Sequence, residues 1–261
     1  MQYQYLSETV KIKKVSETNI EGVFEVEGLY AGYGLTLGNA LRRALLSSLP
    51  GSAITQIKIK GVKHEFSTIA GVKEDIVEII LNLKKIRFKL YSDEPQVLSL
   101  KAKGEKKVSA GDIEVNSEVE IVNSSAHILS LTGKNAEIEM ELTVEKGLGY
   151  MAAENRKADK LPVGVIAIDS FFSPVISVNF VVENMRVGER TDYNKLRIFI
   201  KTDGSITPSK ALHKSANILK DHIEKVALVE VKEAEPEKTS STGKKRKKAV
   251  KGKEEKKKKK K

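Results

Sequence analysis

The sequence predicts a mixed α+β fold, rich in strands and carrying three helices. Several segments alternate apolar and polar residues with the two-residue period of half-buried strands, others repeat apolar residues at helical spacing, and 40% apolar content over 261 residues is enough to bury a core in one or two domains. The strand segments are Ile54 to Ile59, Ala136 to Val144, Val178 to Val182 and Lys195 to Thr202, the last with Leu196, Ile198 and Ile200 inward. Glu137, Glu139 and Glu141 take the outward positions of the second strand. Without converging ligands from elsewhere they read as a solvated face and not a cation site.

The first helix is read over residues 34 to 50, with Thr36 as N-cap and Pro50 as its stop. At 100° per residue, Leu37, Ala40, Leu41, Ala44 and Leu45 share one apolar arc, and Asn39, Arg42, Arg43 and Ser47 lie opposite. Leu46 falls among the polar residues. A leucine beside two arginines points to a second buried contact, the alternative being a singly exposed leucine. Glycines at 32 and 34 permit a tight turn into this helix. The second helix runs from about Val72 to Lys85 with Ile76, Ile79, Ile80 and Leu83 as its core stripe; Val77 and Leu81 widen it, which implies burial on more than one side. The third starts at Thr207-Pro208 and repeats apolar residues at Leu212, Ala216, Leu219, Ile223 and Val226, in coiled-coil spacing that supports helix pairing within the chain or with a second copy.

The net charge of +11 is local: residues 243–261 hold 13 Lys or Arg against two Glu, leaving 33 groups of each sign in residues 1–242. The excess includes Lys244, Lys245, Arg246, Lys247 and Lys248, in a stretch whose composition cannot support a core and is read as a disordered tail. Such a run attracts any polyanion in a salt-dependent way, so DNA or RNA is its candidate partner; a solvated tail with no dedicated partner is the alternative. The start, Met1-Gln2-Tyr3-Gln4-Tyr5, lacks a signal-peptide core, and no stretch approaches the roughly 18 uninterrupted apolar residues of a membrane span. The chain is expected in the cytoplasm, with no membrane partner.

Enzymatic motifs do not assemble. The glycines at 28, 32, 34 and 38 precede a helix, but Gly38 is followed by Asn39-Ala40 and not by the Lys-Ser/Thr of a phosphate loop. The aspartates are scattered where nucleotidyl transfer needs clustered acids on two metal ions, and His64, His127, His213 and His222 form no metal pair. With no cysteine, thiol catalysis and cysteine-ligated metals are excluded.

The run Leu37-Gly38-Asn39-Ala40-Leu41-Arg42-Arg43, with Leu45-Leu46-Ser47-Ser48-Leu49-Pro50-Gly51, resembles the signature helix of the bacterial RNA polymerase alpha subunit family. Further blocks match in the same order: Gly61-Val62 with His64-Glu65-Phe66-Ser67-Thr68, Gly71-Val72-Lys73-Glu74-Asp75-Ile76, Leu81-Asn82-Leu83-Lys84, and Arg190-Thr191-Asp192 before Lys195-Leu196. The similarity covers roughly residues 1 to 231.

The resemblance implies a discontinuous dimerisation subdomain with helices on a sheet, residues 1–50 and 172–231, an inserted strand-rich subdomain, 51–171, and a Lys-rich tail, 232–261. It implies a homodimeric platform on which the beta and beta-prime subunits of DNA-dependent RNA polymerase assemble. No catalytic residue or cofactor is expected on this chain, magnesium belonging to the catalytic subunit of the complex. Arg43 and Leu46 align with family positions that dock beta, joined on the same face by Asn39 and Arg42. Lys84 and Ile168 match other assembly positions, and Arg190 and Asp192 fall where alpha meets the large subunits. Leu212, Ala216, Leu219, Ile223 and Val226 are the expected dimerisation residues. The family's carboxy-terminal DNA-binding domain is not expected, since only 30 residues follow Val231, where a domain needs roughly 50 or more. The rival reading is a free-standing basic nucleic-acid-binding protein.

Overall fold

A computed structural model describes residues 10–157, 162 and 164–229, in a body that ends at Glu224 and a second unit from Lys225 onward. The expected α+β class is what is found. The chain opens with β1 (Lys11–Glu17), β2 (Glu21–Leu29), α1 (Tyr33–Ser47) and β3 (Pro50–Ile59). Then come α2 (Ile76–Leu83), β4 (Phe88–Leu90), β5 (Gln96–Lys103), β6 (Lys106–Ser109), β7 (Ile113–Glu114), β8 (Val119–Ile121) and β9 (His127–Leu131). The return runs through β10 (Glu137–Leu148), β11 (Tyr150–Met151), α3 (Ala153–Lys157), β12 (Val165–Ala167) and β13 (Ser170–Phe171). The last elements are β14 (Val175–Val187), β15 (Arg190–Thr202) and α4 (Pro208–Ala227).

These elements close around two apolar cores. The first lies on an antiparallel sheet of order β1-β2-β15-β14. Phe24, Val26, Val178, Leu196, Ile198 and Ile200 point from it toward Leu45 of α1, Leu49 just beyond that helix, and Ala211 and Leu212 of α4. The predicted alternation of β15 is met, with those three inward residues all buried. The second core lies between a sheet of order β12-β3-β10-β5-β7, helix α2 and the two-stranded ribbons β4-β8 and β6-β9. Ile57, Leu98, Leu100, Met140 and Leu142 fill it from the sheet, and Ile76, Ile79 and Leu83 from the helix. The first sheet is therefore assembled from both ends of the body, and the second from the chain between them.

Four helix expectations need correction. α1 begins at Tyr33, and its N-cap is Gly32 at φ +87°, a left-handed position that disfavours any residue with a Cβ; Thr36 sits one turn in, donating its hydroxyl to the Gly32 carbonyl. It ends at Ser47, and Pro50 instead opens β3. α2 starts at Ile76, where the Asp75 side chain accepts from the Glu78 amide at 2.6 Å, because Glu74 holds the preceding residues in a loop. Glu74 is buried: one carboxylate oxygen accepts from the Ser130 amide at 2.7 Å, the other bonds the Ser130 hydroxyl and His127 Nε2 at 3.0 Å. Burial pushes its pKa up, but these bonds more than offset it and hold it below the usual carboxylate range. Val77 and Leu81 are exposed, so only one side of α2 is covered within this chain.

The outward acids of β10 form an ion ladder. Glu139 lies between Lys60 at 3.0 Å and Lys101 at 3.3 Å, Glu141 faces Lys58, and Glu137 faces Lys103. The entry to α4 is built as its sequence predicts, with Pro208 at the first helical position, and it is capped from β1. Glu17 accepts from both the amide and the hydroxyl of Ser209. The Ser209 hydroxyl, then its amide and Lys14, hold the Glu17 carboxyl at about 2, against an ordinary 4.5.

A carboxylate depressed by folding stabilises above its unfolded pKa and stops doing so as pH falls through the folded value. The parent protein should therefore lose stability between pH 4.5 and about 2 in excess of a Glu17→Gln variant. Urea midpoints across that range check it, and parallel curves would remove Glu17 from the account.

Candidate assembly interface

α1 is seated without a spacer. A Cβ at Gly34 would stand 2.7 Å from Val182 and 2.9 Å from Asn194, and one at Gly38 would stand 2.7 Å from the Phe180 ring. The helix backbone thus lies directly on β14 and β15, and its opposite side faces outward. Asn39, Arg42 and Arg43 are exposed there, with no ion pair to either arginine among the described residues. Leu46 is half-buried, packed at the margin of the first core rather than standing free among the arginines. The N-terminal end of the helix is tied to the sheet, Asn194 accepting from the amides of Gly32 and Gly34; at the other end Ser47 donates to the Arg43 carbonyl at 2.7 Å, a bond within the helix itself.

Arg190 and Asp192 meet each other. The guanidinium donates to both carboxylate oxygens, at 3.0 and 2.6 Å, and lies 5.0 Å from the Tyr30 ring and 5.5 Å from the Tyr193 ring. Asp192 is held below, and Arg190 above, its ordinary pKa by this pairing. The cluster flanks the N-terminus of α1, since Tyr30 also accepts from the Tyr33 amide. Lys84 pairs with Asp169 at 3.2 Å, and Asp169 also accepts from the Ala153 amide. Ile168 is corrected: at 2% exposure it belongs to the second core and presents no contact surface, so its neighbour Asp169 is what links that position to Lys84.

The sequence pattern of the RNA polymerase Rpb3/RpoA insert domain matches residues 57–173, which span most of the second core. The chain is 51% identical over 219 residues to the DNA-directed RNA polymerase subunit alpha of Symbiobacterium thermophilum, covering 83% of this chain and 69% of the relative. It is 49% identical over 231 residues to that of Roseiflexus castenholzii, covering 88% and 71%. The chain belongs to the bacterial RNA polymerase alpha-subunit family.

On this alpha-family chain the coiled-coil residues of α4 divide. Leu212 is corrected: at 7% exposure it packs into the first core beside Ala211 and cannot be offered to a partner. Ala216 is exposed, Leu219 half-buried and Ile223 66% exposed. Val226, in the second unit, is exposed in turn. The tail lysines, Lys244, Lys245, Lys247 and Lys248, with Arg246, lie outside the described residues. No helix among the described residues is long and apolar enough to cross a membrane.

Sequence reasoning missed Asn194, Glu74 and the edge-to-face pair of Tyr30 and Tyr193. A signal for the first was present: extended back by two residues, the inward register of Leu196, Ile198 and Ile200 lands on Asn194. A polar residue on an apolar register asks for a specific bond. Glu74 and the tyrosines interrupt no such apolar register and carry no comparable signal.

Proposed function

We propose that two copies of this chain form the platform on which the beta and beta-prime subunits of DNA-directed RNA polymerase assemble, and that the chain contributes no catalytic residue to that nucleotidyltransferase. Residues 1–50 and 172–231 are the dimerisation and assembly subdomain in this reading, 51–171 the insert, and 232–261 a tail. The observation that carries it is the outward face of α1. Two arginines with no ion pair among the described residues stand on a helix capped from β15 and seated directly on the sheet at Gly34 and Gly38, an arrangement suited to a rigid docking surface. Arg190 and Asp192, and Lys84 with Asp169, are self-paired and contribute as shaped, neutralised surface. The exposed side of α4 is the dimer face. The complex is expected to reside in the cytoplasm. A free-standing nucleic-acid binder would neither copurify with two very large chains nor need an unpaired helix face, so a pull-down from native lysate separates the readings.

Arg43→Ala should weaken capture of the beta subunit by about 2 kcal/mol or more while leaving the dimer intact, as truncation of a central interface residue does. Leu46→Ala should do likewise with some loss of fold stability, given its half-buried position. Gel filtration with a binding assay decides it, and unchanged capture by both variants would sink this docking site.

Leu219 would be repeated on both sides of a two-fold interface, so Leu219→Asp is counted twice and should give monomers by light scattering. A dimer of normal mass would place the interface elsewhere.

Deleting residues 243–261 should abolish salt-sensitive binding of the isolated protein to duplex DNA, equally for promoter and random sequences, since lysines contact phosphates. Retention of the same slope of log affinity against log salt would assign the binding to the folded body.

A further inference from the structure

α1 supplies no capping side chain of its own, its N-cap being Gly32. The acceptor comes from across the sheet. Asn194 of β15 is buried, and its Oδ1 accepts from the Gly32 amide at 2.9 Å and from the Gly34 amide at 3.4 Å. The amide is oriented from the other side, where Nδ2 donates to Asn184 Oδ1 at 3.2 Å. Contact is close as well as polar, because the Asn194 Cβ lies where Gly34 has no side chain. A buried amide among Leu196, Ile198 and Ile200 is unfavourable unless its bonds are needed. Here they satisfy two donors at a helix start that would otherwise be orphaned.

We propose that Asn194 is a positioning residue for polymerase assembly: it caps α1 from outside the helix and so fixes the first turn and the direction in which Asn39, Arg42 and Arg43 are presented before the partner arrives. The inference rests on the reading of α1 as the docking helix. An uncapped first turn frays, and docking must then restore order that the cap otherwise supplies in advance. An aspartate would keep the acceptor and add a charge that a helix N-terminus favours, with the exchanged oxygen satisfied once the Asn184 amide turns over to donate to it, whereas alanine would remove the acceptor and leave both amides orphaned.

The test compares Asn194→Asp, Asn194→Ala, Arg43→Ala and Ile200→Val, the last lowering the stability of the same sheet away from α1. Hydrogen exchange across residues 30–37 reads the cap, and capture of purified beta by the full-length dimer reads assembly. Asn194→Asp should match the parent within about twofold in both. Asn194→Ala should lose protection in 30–37 and about fivefold in capture, an ordinary cap converted to affinity. Ile200→Val should leave both unchanged. The proposal is overturned if Asn194→Ala keeps its protection, if it loses capture with protection intact, if Asn194→Asp fails to restore capture, or if Ile200→Val reproduces the loss. Normal capture by Arg43→Ala would sink the docking reading and the assembly role with it, a result distinguishable because the exchange pattern of Asn194→Ala does not depend on beta. Should Asn194→Ala give no soluble dimer, Asn194→Ser, whose shorter side chain cannot reach Gly32, takes its place under the same criteria.

Discussion

Where a helix lies on a sheet, the distance between them is set by the side chains that stand in the gap, and at Gly34 and Gly38 there are none. The backbone of α1 rests on Val182, Phe180 and Leu196, which brings Leu45 and Leu49 into the first core and turns the arginine side away from it. The same device closes the joint between the two cores. A Cβ at Gly51 would fall 1.8 Å from the Phe172 carbonyl oxygen, and one at Gly147 would fall 2.7 Å from the Phe172 ring. Backbone packed against backbone or ring leaves little play where the second core joins the sheet that carries α1.

Charge is organised on a different principle. Most ion pairs are exposed, and each contributes little to stability. Glu25 differs, being buried on the outer face of the first sheet between Lys195 at 3.0 Å and Arg197 at 2.6 Å, and these two cations hold its carboxyl below the usual range. Arg42 and Arg43 make no ion pair among the described residues, a condition they share with Lys63, Lys73 and Lys107; what sets them apart is their place together on one helix face.

The fold class and the register of its principal strands were legible in the sequence, because a strand with one buried face must alternate and Leu196, Ile198 and Ile200 do so without interruption. Helix ends were less legible: Thr36 looks like a cap until Gly32 is seen at positive φ, a backbone property that composition only hints at. Burial was read correctly where one partner decides it and wrongly where two compete. Leu212 fits a coiled-coil repeat as well as a core stripe, and the first core claims it. Ile168 aligned as an assembly position yet lies inside the second core, because alignment carries a position and not its burial. The arginine face of α1 was legible from helical geometry, while the contacts that hold it depend on residues more than 150 positions away.

The outer strands of the two sheets carry a consequence for how copies of this chain can meet. β1 presents Lys11, Lys13 and Lys14 along one edge of the first sheet, and β14 bends at irregularities between Val175 and Ser177 and between Met185 and Val187 along the other. The second sheet ends in β12 and β7, of three and two residues. Lysine, bulges and brevity each discourage a strand from another molecule from adding to a sheet. Growth of either sheet into a ribbon by strands of other copies is thereby discouraged at its outer strands, which leaves edge-to-edge pairing an unfavourable way for these molecules to associate.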